Sequence, residues 1–405
     1  KLPKGSLQEW FGKKDNKRGV GAPVEIRAGK VYRRIYWRGG AVLVGVGEND
    51  PIDVVRITWP NGSVQSESDW ELGKRIDLQL MEQKSNLMGS CPFLYAWNGT
   101  TYEFISDVLG ITPLGLPMAP GLLVPPDHDE YVLVRGDQLV PRDGVLELQL
   151  TEELREVTYL DQVRIEAVDH PLGTEIYPDE RFCFPPFPAP HTHTVREPLP
   201  PLRATGSDGK DWTEALARID DAHAVPFEPL HDQFQGLATA HWLELEFDRT
   251  RVAKARKLRL ILTGWFYWTD ASVNVAAART PHVRFLPPVI EVPAIVAAGG
   301  GEEWIPTGPP IGFPAGKTKS MGFDVTSVLS KDDPRLRLSS TLRLYWDRIV
   351  LAVDDDDAKL RVQSLAPLSA QVWRRGFSAP VEGSDETPER FLWEELAQEP
   401  RWNQH

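Results

Sequence analysis

The chain has 405 residues, of which 41% are hydrophobic and 25% are charged, as in a soluble globular protein, and this length predicts two or three domains. The net charge of −13 argues against a protein that binds nucleic acid without sequence preference, because such proteins need a basic surface. No apolar run approaches the roughly 18 residues of a membrane helix, so we expect no membrane span.

The charge is unevenly distributed along the chain. Residues 1–87 hold 15 Lys and Arg against 11 Asp and Glu, a net charge of +4, which leaves −17 for residues 88–405. The first residues are not followed by an apolar stretch, so no signal peptide is expected. This start fits either a cytosolic protein or a mature or trimmed fragment, and we favour the fragment.

Strand patterns dominate the first 87 residues. Short runs rich in Val, Ile, Tyr and Trp predict strands at residues 31–37, 54–59 and 75–80. Turn residues follow the second run, in the order Pro60, Asn61 and Gly62.

Two segments of this region resemble the ASPIC/UnbV family. Residues 16–26 (NKRGVGAPVEI) resemble its opening N-x-x-x-x-G-A-x-V-x-V, and residues 52–65 (IDVVRITWPNGSVQ) resemble its signature V-D-x-V-x-V-x-W-P-x-G-x-x-Q. The family's Phe-Gly-Leu-Gly segment is Val-Gly-Val-Gly here, at residues 44–47. The resemblance covers residues 10–81. It implies a β module at residues 1–87, with Trp59 buried, Pro60 ending a strand and Gly62 in a turn.

The resemblance also implies a context. Such modules usually follow FG-GAP or VCBS propeller repeats in secreted or cell-surface proteins such as the cartilage acidic protein group, and they are not known as catalytic domains. We therefore expect the C-terminal portion of a larger extracellular or cell-surface protein. A dinucleotide-binding loop at residues 45–50 is not expected, because the third glycine is missing and a strand follows.

Beyond residue 87, strands are predicted at residues 146–150, 161–168, 242–247, 258–275 and 342–353. In the first, Leu146, Leu148 and Leu150 alternate with polar residues, which is typical of a half-buried strand. Helices are predicted only at residues 210–221 and at 388–398, where a proline occupies the first helical position.

The segments 146–169 and 336–354 echo each other, which suggests two packed β-sandwich units. We predict an all-β chain: an ASPIC/UnbV-like β module at 1–87, followed by two β-sandwich units that are jelly-roll-like, with few short helices. The first unit spans 88–245 and contains a proline-rich linker at 184–201, expected to run extended across the surface. The second spans 246–405 and ends in the C-terminal helix.

The candidate binding residues lie in one aromatic segment. In a strand, Trp265 and Tyr267 point to one face while Phe266 and Trp268 point to the other, so one pair is exposed unless a neighbouring element covers it. An exposed pair can stack on sugar rings, with Asp270 and Asn274 available to bind hydroxyl groups. A covered pair indicates a domain interface instead.

The two cysteines, Cys91 and Cys183, exclude a disulfide framework and a cysteine-based zinc site. Either they form one disulfide bridge, or they are two separate buried thiols.

Three polar runs are candidates for metal binding. The acidic runs 354–357 and 127–130 have oxygen ligands that suit calcium, but the simpler interpretation is a solvated loop in each case. His191 and His193 share a face only in a strand, and we interpret them as surface histidines. The metal ligands are therefore unassigned, and we expect no cofactor in this fragment, with calcium as the alternative.

No nucleophile elbow, H-E-x-x-H motif or phosphate-binding loop occurs in the sequence. We expect a non-catalytic protein for extracellular binding or structural assembly, whose partner is another protein, a second copy or a glycan. The alternative is a carbohydrate-binding module or a glycan-active enzyme, a hydrolase or lyase, because a sandwich can bring distant carboxylates together.

Overall fold

The computed structural model describes most of the chain. The described residues are 20–39, 42–48, 52–58, 64–70, 92–108, 117–119, 122–125, 127, 129–152, 160–220, 222–227, 234, 236–267, 269, 271–295, 302–355, 357–381 and 390–397. Within these ranges, no helix is long and apolar enough to cross a membrane.

The described residues form mostly antiparallel strands, so the predicted all-β class is confirmed. In chain order the strands are β1 (Pro23–Ala28), β2 (Val31–Tyr36), β3 (Ile52–Thr58), β4 (Val64–Trp70), β5 (Phe93–Trp97), β6 (Tyr102–Asp107), β7 (Pro117–Ala119), β8 (Leu122–Leu123), β9 (Leu148–Thr151), β10 (Ile165–Asp169), β11 (Glu175–Pro178), β12 (Arg181–Phe182), β13 (Thr192–Val195), β14 (Arg203–Gly206), β15 (Leu237–Glu246), β16 (Leu258–Phe266), β17 (Val289–Ile295), β18 (Glu302–Pro306), β19 (Phe313–Pro314), β20 (Lys319–Asp324), β21 (Arg335–Leu342), β22 (Leu344–Val353), β23 (Arg361–Leu365), β24 (Phe377–Val381) and β25 (Arg390–Ala397). Two short α-helices accompany them, α1 (Arg249–Val252) and α2 (Ala271–Arg279).

The N-terminal module is a four-stranded antiparallel sheet in the order β2-β1-β3-β4. Alternation decides its buried face: Val24 and Ile26 of β1 pair with Ile57 and Val55 of β3, and all four are buried. The strands predicted at 31–37 and 54–59 are confirmed by β2 and β3. The predicted strand at 75–80 and the predicted roles of Trp59, Pro60 and Gly62 fall outside the described residues.

A β-sandwich occupies the middle of the chain. A five-stranded sheet, β14-β15-β21-β17-β18, faces a three-stranded sheet, β20-β16-β22. Alternate residues of both sheets form one hydrophobic core, with Leu243 and Leu338 from the first sheet and Leu260 and Leu351 from the second. Fully burying a leucine side chain stabilises a fold by about 1.5–3 kcal/mol, so this alternation holds the two sheets together.

A third layer covers the outer face of the three-stranded sheet. The antiparallel strand pair β11–β13 packs Tyr177 and Val195 on Ile261 and Val350, which point away from the sandwich core. The segment 184–201 was predicted to be a linker running extended across the surface. That prediction is wrong for β13, because its backbone is paired with β11 and three of its four residues are buried.

A second small sheet, β6-β5-β9, packs against the separate two-stranded sheet β24–β25. Residues 388–398 were predicted to form a helix, and this is wrong for 390–397, which form β25. Phe391 stacks on Phe93 of β5 with ring centroids 4.1 Å apart, while Trp393 lies 5.2 Å from Tyr95. An alternating strand places Phe391 and Trp393 on one face, so tertiary contacts outweigh the helix start signals.

Two other sequence predictions of secondary structure are also corrected. A helix was predicted at residues 210–221, but the described residues 210–220 contain only a 3-10 turn at Glu214–Leu216, whose Leu216 packs into the sandwich core. The strand predicted at 258–275 ends at Phe266, and α2 follows it.

The predicted boundary between residues 245 and 246 falls inside β15. This strand pairs with β14 on one side and with β21 on the other. Strands from both predicted units therefore share one sheet and one core. The echoed segments also differ in environment, since β22 is almost entirely buried while β10 is largely exposed and pairs with β23.

Candidate functional site

The predicted aromatic residues Trp265 and Tyr267 lie at the end of β16 and are both buried. Trp265 stacks on Tyr345 of β22, with ring centroids 4.2 Å apart and planes inclined by 15°. The guanidinium carbon of Arg343 lies 3.6 Å from the centroid of the Tyr267 ring. The Trp265–Tyr267 pair is therefore covered by neighbouring elements and presents no open stacking surface in this conformation.

The other predicted binding residues are dispersed. Phe266 points into the sandwich core, and Asn274 is buried on α2 rather than in a strand beside the aromatic pair. Trp268 and Asp270 fall outside the described residues. The sugar-binding role predicted for the whole group stays a prediction, and the structure brings together only Trp265 and Tyr267.

A buried ionic cluster surrounds Lys319, at the start of β20. The Lys319 ammonium nitrogen lies 3.4 Å from a carboxylate oxygen of Asp107 and 3.5 Å from one of Glu130. It also donates a hydrogen bond of 2.8 Å to the hydroxyl of Ser106. Glu180 completes the cluster, and its Oε2 accepts a 2.7 Å hydrogen bond from the backbone of Tyr131. These residues come from separate segments, so the cluster ties the small sheet to the sandwich.

Burial and neighbouring charge together set the protonation of this cluster. Burial, reinforced by the charge of Glu130, raises the pKa of Glu180 to about 8. Burial alone lowers the pKa of Lys319, but the carboxylates of Asp107, Glu130 and Glu180 outweigh that effect, and the pKa is raised. These two shifts favour a charged Lys319 beside a protonated Glu180 at neutral pH. It has the chemistry of a structural ion pair closed to solvent.

The acidic runs considered for calcium make other contacts. Asp354 accepts hydrogen bonds from the backbone of Arg256 and Lys257, while Asp355 pairs with Arg196 at 3.2 Å. Among the described residues, no three His, Cys, Asp or Glu side chains are grouped so that they could hold a metal ion.

The two histidines of the proline-rich segment differ. His191 is exposed, as predicted, but His193 is buried on β13, and its Nε2 lies 3.6 Å from a carboxylate oxygen of Asp179. The interpretation of His193 as a surface histidine is therefore wrong. Its strand β13 is not part of a surface linker, because it pairs with β11 and packs on the three-stranded sheet.

Cys183 has a free, half-buried thiol, and burial raises its pKa. Cys91 falls outside the described residues, so the bridge between the two stays a prediction.

An exposed tyrosine–arginine surface lies on the N-terminal module, and the sequence reasoning missed it. Tyr32, Arg34 and Tyr36 alternate along the edge strand β2, so they share the face of the sheet that points away from the core. The two tyrosines are 55% and 57% exposed. Arg27 of β1, opposite Tyr32 in the register, and Arg56 of β3 extend this face across the sheet. We call these five residues the module face.

The geometry of the module face depends on a few local contacts. The Tyr32 hydroxyl donates a hydrogen bond to the Glu25 carboxylate, which raises the pKa of Tyr32. The guanidinium carbon of Arg34 lies 5.5 Å from the centroid of the Tyr36 ring, a cation–π distance. The signal in the sequence was the alternation in VYRRIY, which predicted a strand, together with the local excess of basic residues. Only the sheet order shows which face is exposed.

Comparison with family models supports the resemblance of the N-terminal module to the ASPIC/UnbV family. Residues 12–85 match the family model described as ASPIC and UnbV. No curated protein matches the chain, and no solved structure matches it. The match spans the described sheet β1 to β4. The chain therefore carries an ASPIC and UnbV domain at residues 12–85.

Proposed function

We propose that the chain is a non-catalytic binding protein that works outside the cytoplasm, and that its ASPIC and UnbV domain makes the contact with the partner. The observation that carries this proposal is the module face. It presents Tyr32 and Tyr36 to solvent beside exposed arginines. Tyrosine and arginine are the side chains that dominate binding surfaces, since each combines a large contact area with hydrogen-bonding groups.

The buried carboxylates support a binding role rather than catalysis. Asp107, Glu130 and Glu180 lie close together, but they surround Lys319 and are closed to solvent. General acid–base chemistry on a glycan needs two carboxyl groups that flank the bond to be cleaved. In this cluster the carboxyl groups surround a lysine and do not face each other across a groove, so the arrangement suits a junction between two sheets better than glycan cleavage.

The test is saturable binding of the full chain to the surface material of the cells that produce it. The wild type is compared with the double variant Arg27→Glu/Arg34→Glu, which reverses charge on the module face. Lys254→Glu/Arg374→Glu is the matched control, because both of its residues are exposed and it changes the net charge equally. We expect the first variant to lose at least nine-tenths of the binding and the control to keep it.

The same incubation tests for catalysis, because newly formed reducing ends or unsaturated sugars can be measured in the supernatant. Binding without product supports the proposal. Product formation that increases with time overturns it in favour of a glycan hydrolase or lyase. Antibody labelling of intact cells tests the location, and labelling that appears only after the cells are broken open argues against an extracellular role.

A further inference from the structure

We infer that the module face binds an acidic polysaccharide, a glycan chain bearing carboxylate or sulfate groups. The inference rests on the proposed binding function and names its ligand class. The chain would lie across the outer face of the sheet β2-β1-β3, with its rings on the tyrosines and its acidic groups on the arginines.

The spacing of the module face suits an extended polymer. Residues two apart in a strand lie about 6.8 Å apart, so Tyr32 and Tyr36 are separated by about 13.6 Å along β2, with Arg34 between them. Neighbouring strands are about 4.8 Å apart, which places Arg27 of β1 beside Tyr32. Along β2 the two tyrosines therefore flank a cation, and across the sheet Glu25 of β1 lies between Arg34 and Arg56.

The charge balance of the module face favours an anion, because three arginines surround one carboxylate, Glu25, which already accepts a hydrogen bond from Tyr32. Arg27 and Arg34 are exposed, and in the part of the chain that the structure describes no ion pair joins either of them to a carboxylate. Some exposed arginines elsewhere have carboxylate partners, such as Arg249 with Asp332 at 2.8 Å and Arg251 with Glu197 at 3.1 Å. A guanidinium group binds carboxylate or sulfate through two parallel hydrogen bonds, so unpaired arginines on one face form a site for anionic groups.

The acidic remainder of the chain does not prevent this binding. Residues 88–405 carry a net charge of −17, against +4 for residues 1–87. Charges farther apart than about 8 Å are largely screened at physiological ionic strength. The local excess of arginine therefore determines what binds at the module face, and the remainder disfavours anions everywhere else on the surface.

The tyrosines distinguish a polysaccharide from an acidic polypeptide. An extended peptide would pair with the backbone of the edge strand β2 and place acidic side chains near the arginines. Such a peptide has no need for the tyrosine rings, which lie on the face of the sheet and not along its edge. Pyranose rings stack on exposed aromatic rings, and their hydroxyl groups bond to phenol and guanidinium groups.

The experiment measures affinity of the full chain for polygalacturonate, alginate, heparin, neutral dextran and polyglutamate by biolayer interferometry at two salt concentrations. We expect binding to at least one acidic polysaccharide, weakening as salt rises, and none to dextran. Arg27→Ala/Arg34→Ala and Tyr32→Ala/Tyr36→Ala should each lower this affinity at least tenfold. The matched control Lys254→Ala/Arg374→Ala should leave it unchanged, and thermal melting checks that all variants are folded.

Two results overturn the inference. One is the absence of binding to every acidic polysaccharide. The other is polyglutamate binding of equal strength that the tyrosine replacements do not affect, which points to an acidic protein partner. If surface material of the producing cells still binds through Arg27 and Arg34 in either case, only the ligand class is wrong. If that binding is also absent, the proposed function fails with it.

Discussion

The ammonium nitrogen of Lys319 lies 3.4 Å from a carboxylate oxygen of Asp107, and both side chains are buried. Asp107 ends β6 in the small sheet, whereas Lys319 begins β20 in the sandwich. A second Asp107 contact reinforces the junction, because Oδ1 accepts a 2.8 Å hydrogen bond from the backbone of Lys317. The two sheets are thus held by charge-assisted contacts between segments far apart in the sequence.

Replacing Lys319 by methionine is expected to lower the free energy of unfolding by about 3–5 kcal/mol. The variant leaves the carboxylates of Asp107 and Glu130 buried without their counterion. Urea denaturation at pH 7 measures the change. Lys359→Met is the control, because Lys359 is exposed and its replacement should change stability by less than about 0.5 kcal/mol. Equal losses in the two variants would contradict the structural role of the pair.

The pKa of about 8 at Glu180 makes stability depend on pH. The folded protein holds this proton at neutral pH, whereas the unfolded chain releases it near pH 4.5. The stabilising contribution is therefore complete below about pH 4.5 and is lost as the pH rises through 8. A tenfold change in proton affinity corresponds to about 1.4 kcal/mol, so the loss is on the order of a few kcal/mol.

Glu180→Gln is expected to flatten this dependence between pH 5 and pH 8, because the amide cannot ionise. Denaturation curves recorded across that range measure it. Asp347 gives a second, independent case, since burial raises its pKa to about 7 and the loss should then centre one pH unit lower. A Glu180→Gln profile that parallels the wild type throughout would show that Glu180 is not the group that titrates.

The hairpin β24–β25 gives a prediction that separates a strand from a helix. In the strand, Phe391 is buried against Phe93, while Leu392 points outward. Phe391→Ala is expected to destabilise the protein by about 3–5 kcal/mol, and Leu392→Ala by less than about 1 kcal/mol. Thermal melting of both variants measures the difference. A comparable loss for both would be at odds with the alternation of this strand.

Local pattern was sufficient to predict much of the chain. Residues of β3 alternate between the buried and the outer face, whereas β22 is apolar along most of its length because both of its faces are covered, and both patterns are visible in the sequence. Residues 388–398 misled the same reasoning. Their proline and glutamates favour a helix, and the aromatic partners of Phe391 and Trp393 lie at the other end of the chain. Long-range packing of this kind leaves no local signal.

The sites were less predictable than the strands. Trp265 and Tyr267 were identified as a pair on one face, but their burial depends on Tyr345 of β22 and on Arg343 just before that strand. The Lys319 cluster gathers residues from four separate segments, none of which contains a recognisable motif. Sequence order cannot show which charges meet, because the sheet topology alone determines that.

The last prediction concerns Trp59, which lies outside the described residues and directly after β3. The resemblance to the ASPIC and UnbV family implies that it is buried, and the match to the family model covers it. Trp59→Ala should then lower the free energy of unfolding by about 3–5 kcal/mol, because it leaves a cavity in a small core.

Trp373→Ala is the matched control, since Trp373 is 54% exposed and its loss should have little effect. Chemical denaturation measures both variants, and tryptophan fluorescence gives a second readout, because a buried Trp59 is shielded from iodide quenching whereas Trp373 is not. A Trp59→Ala variant as stable as the wild type would mean that this tryptophan lies on the surface, and the core of the module would then consist of the Val24, Ile26, Val55 and Ile57 pairs without it.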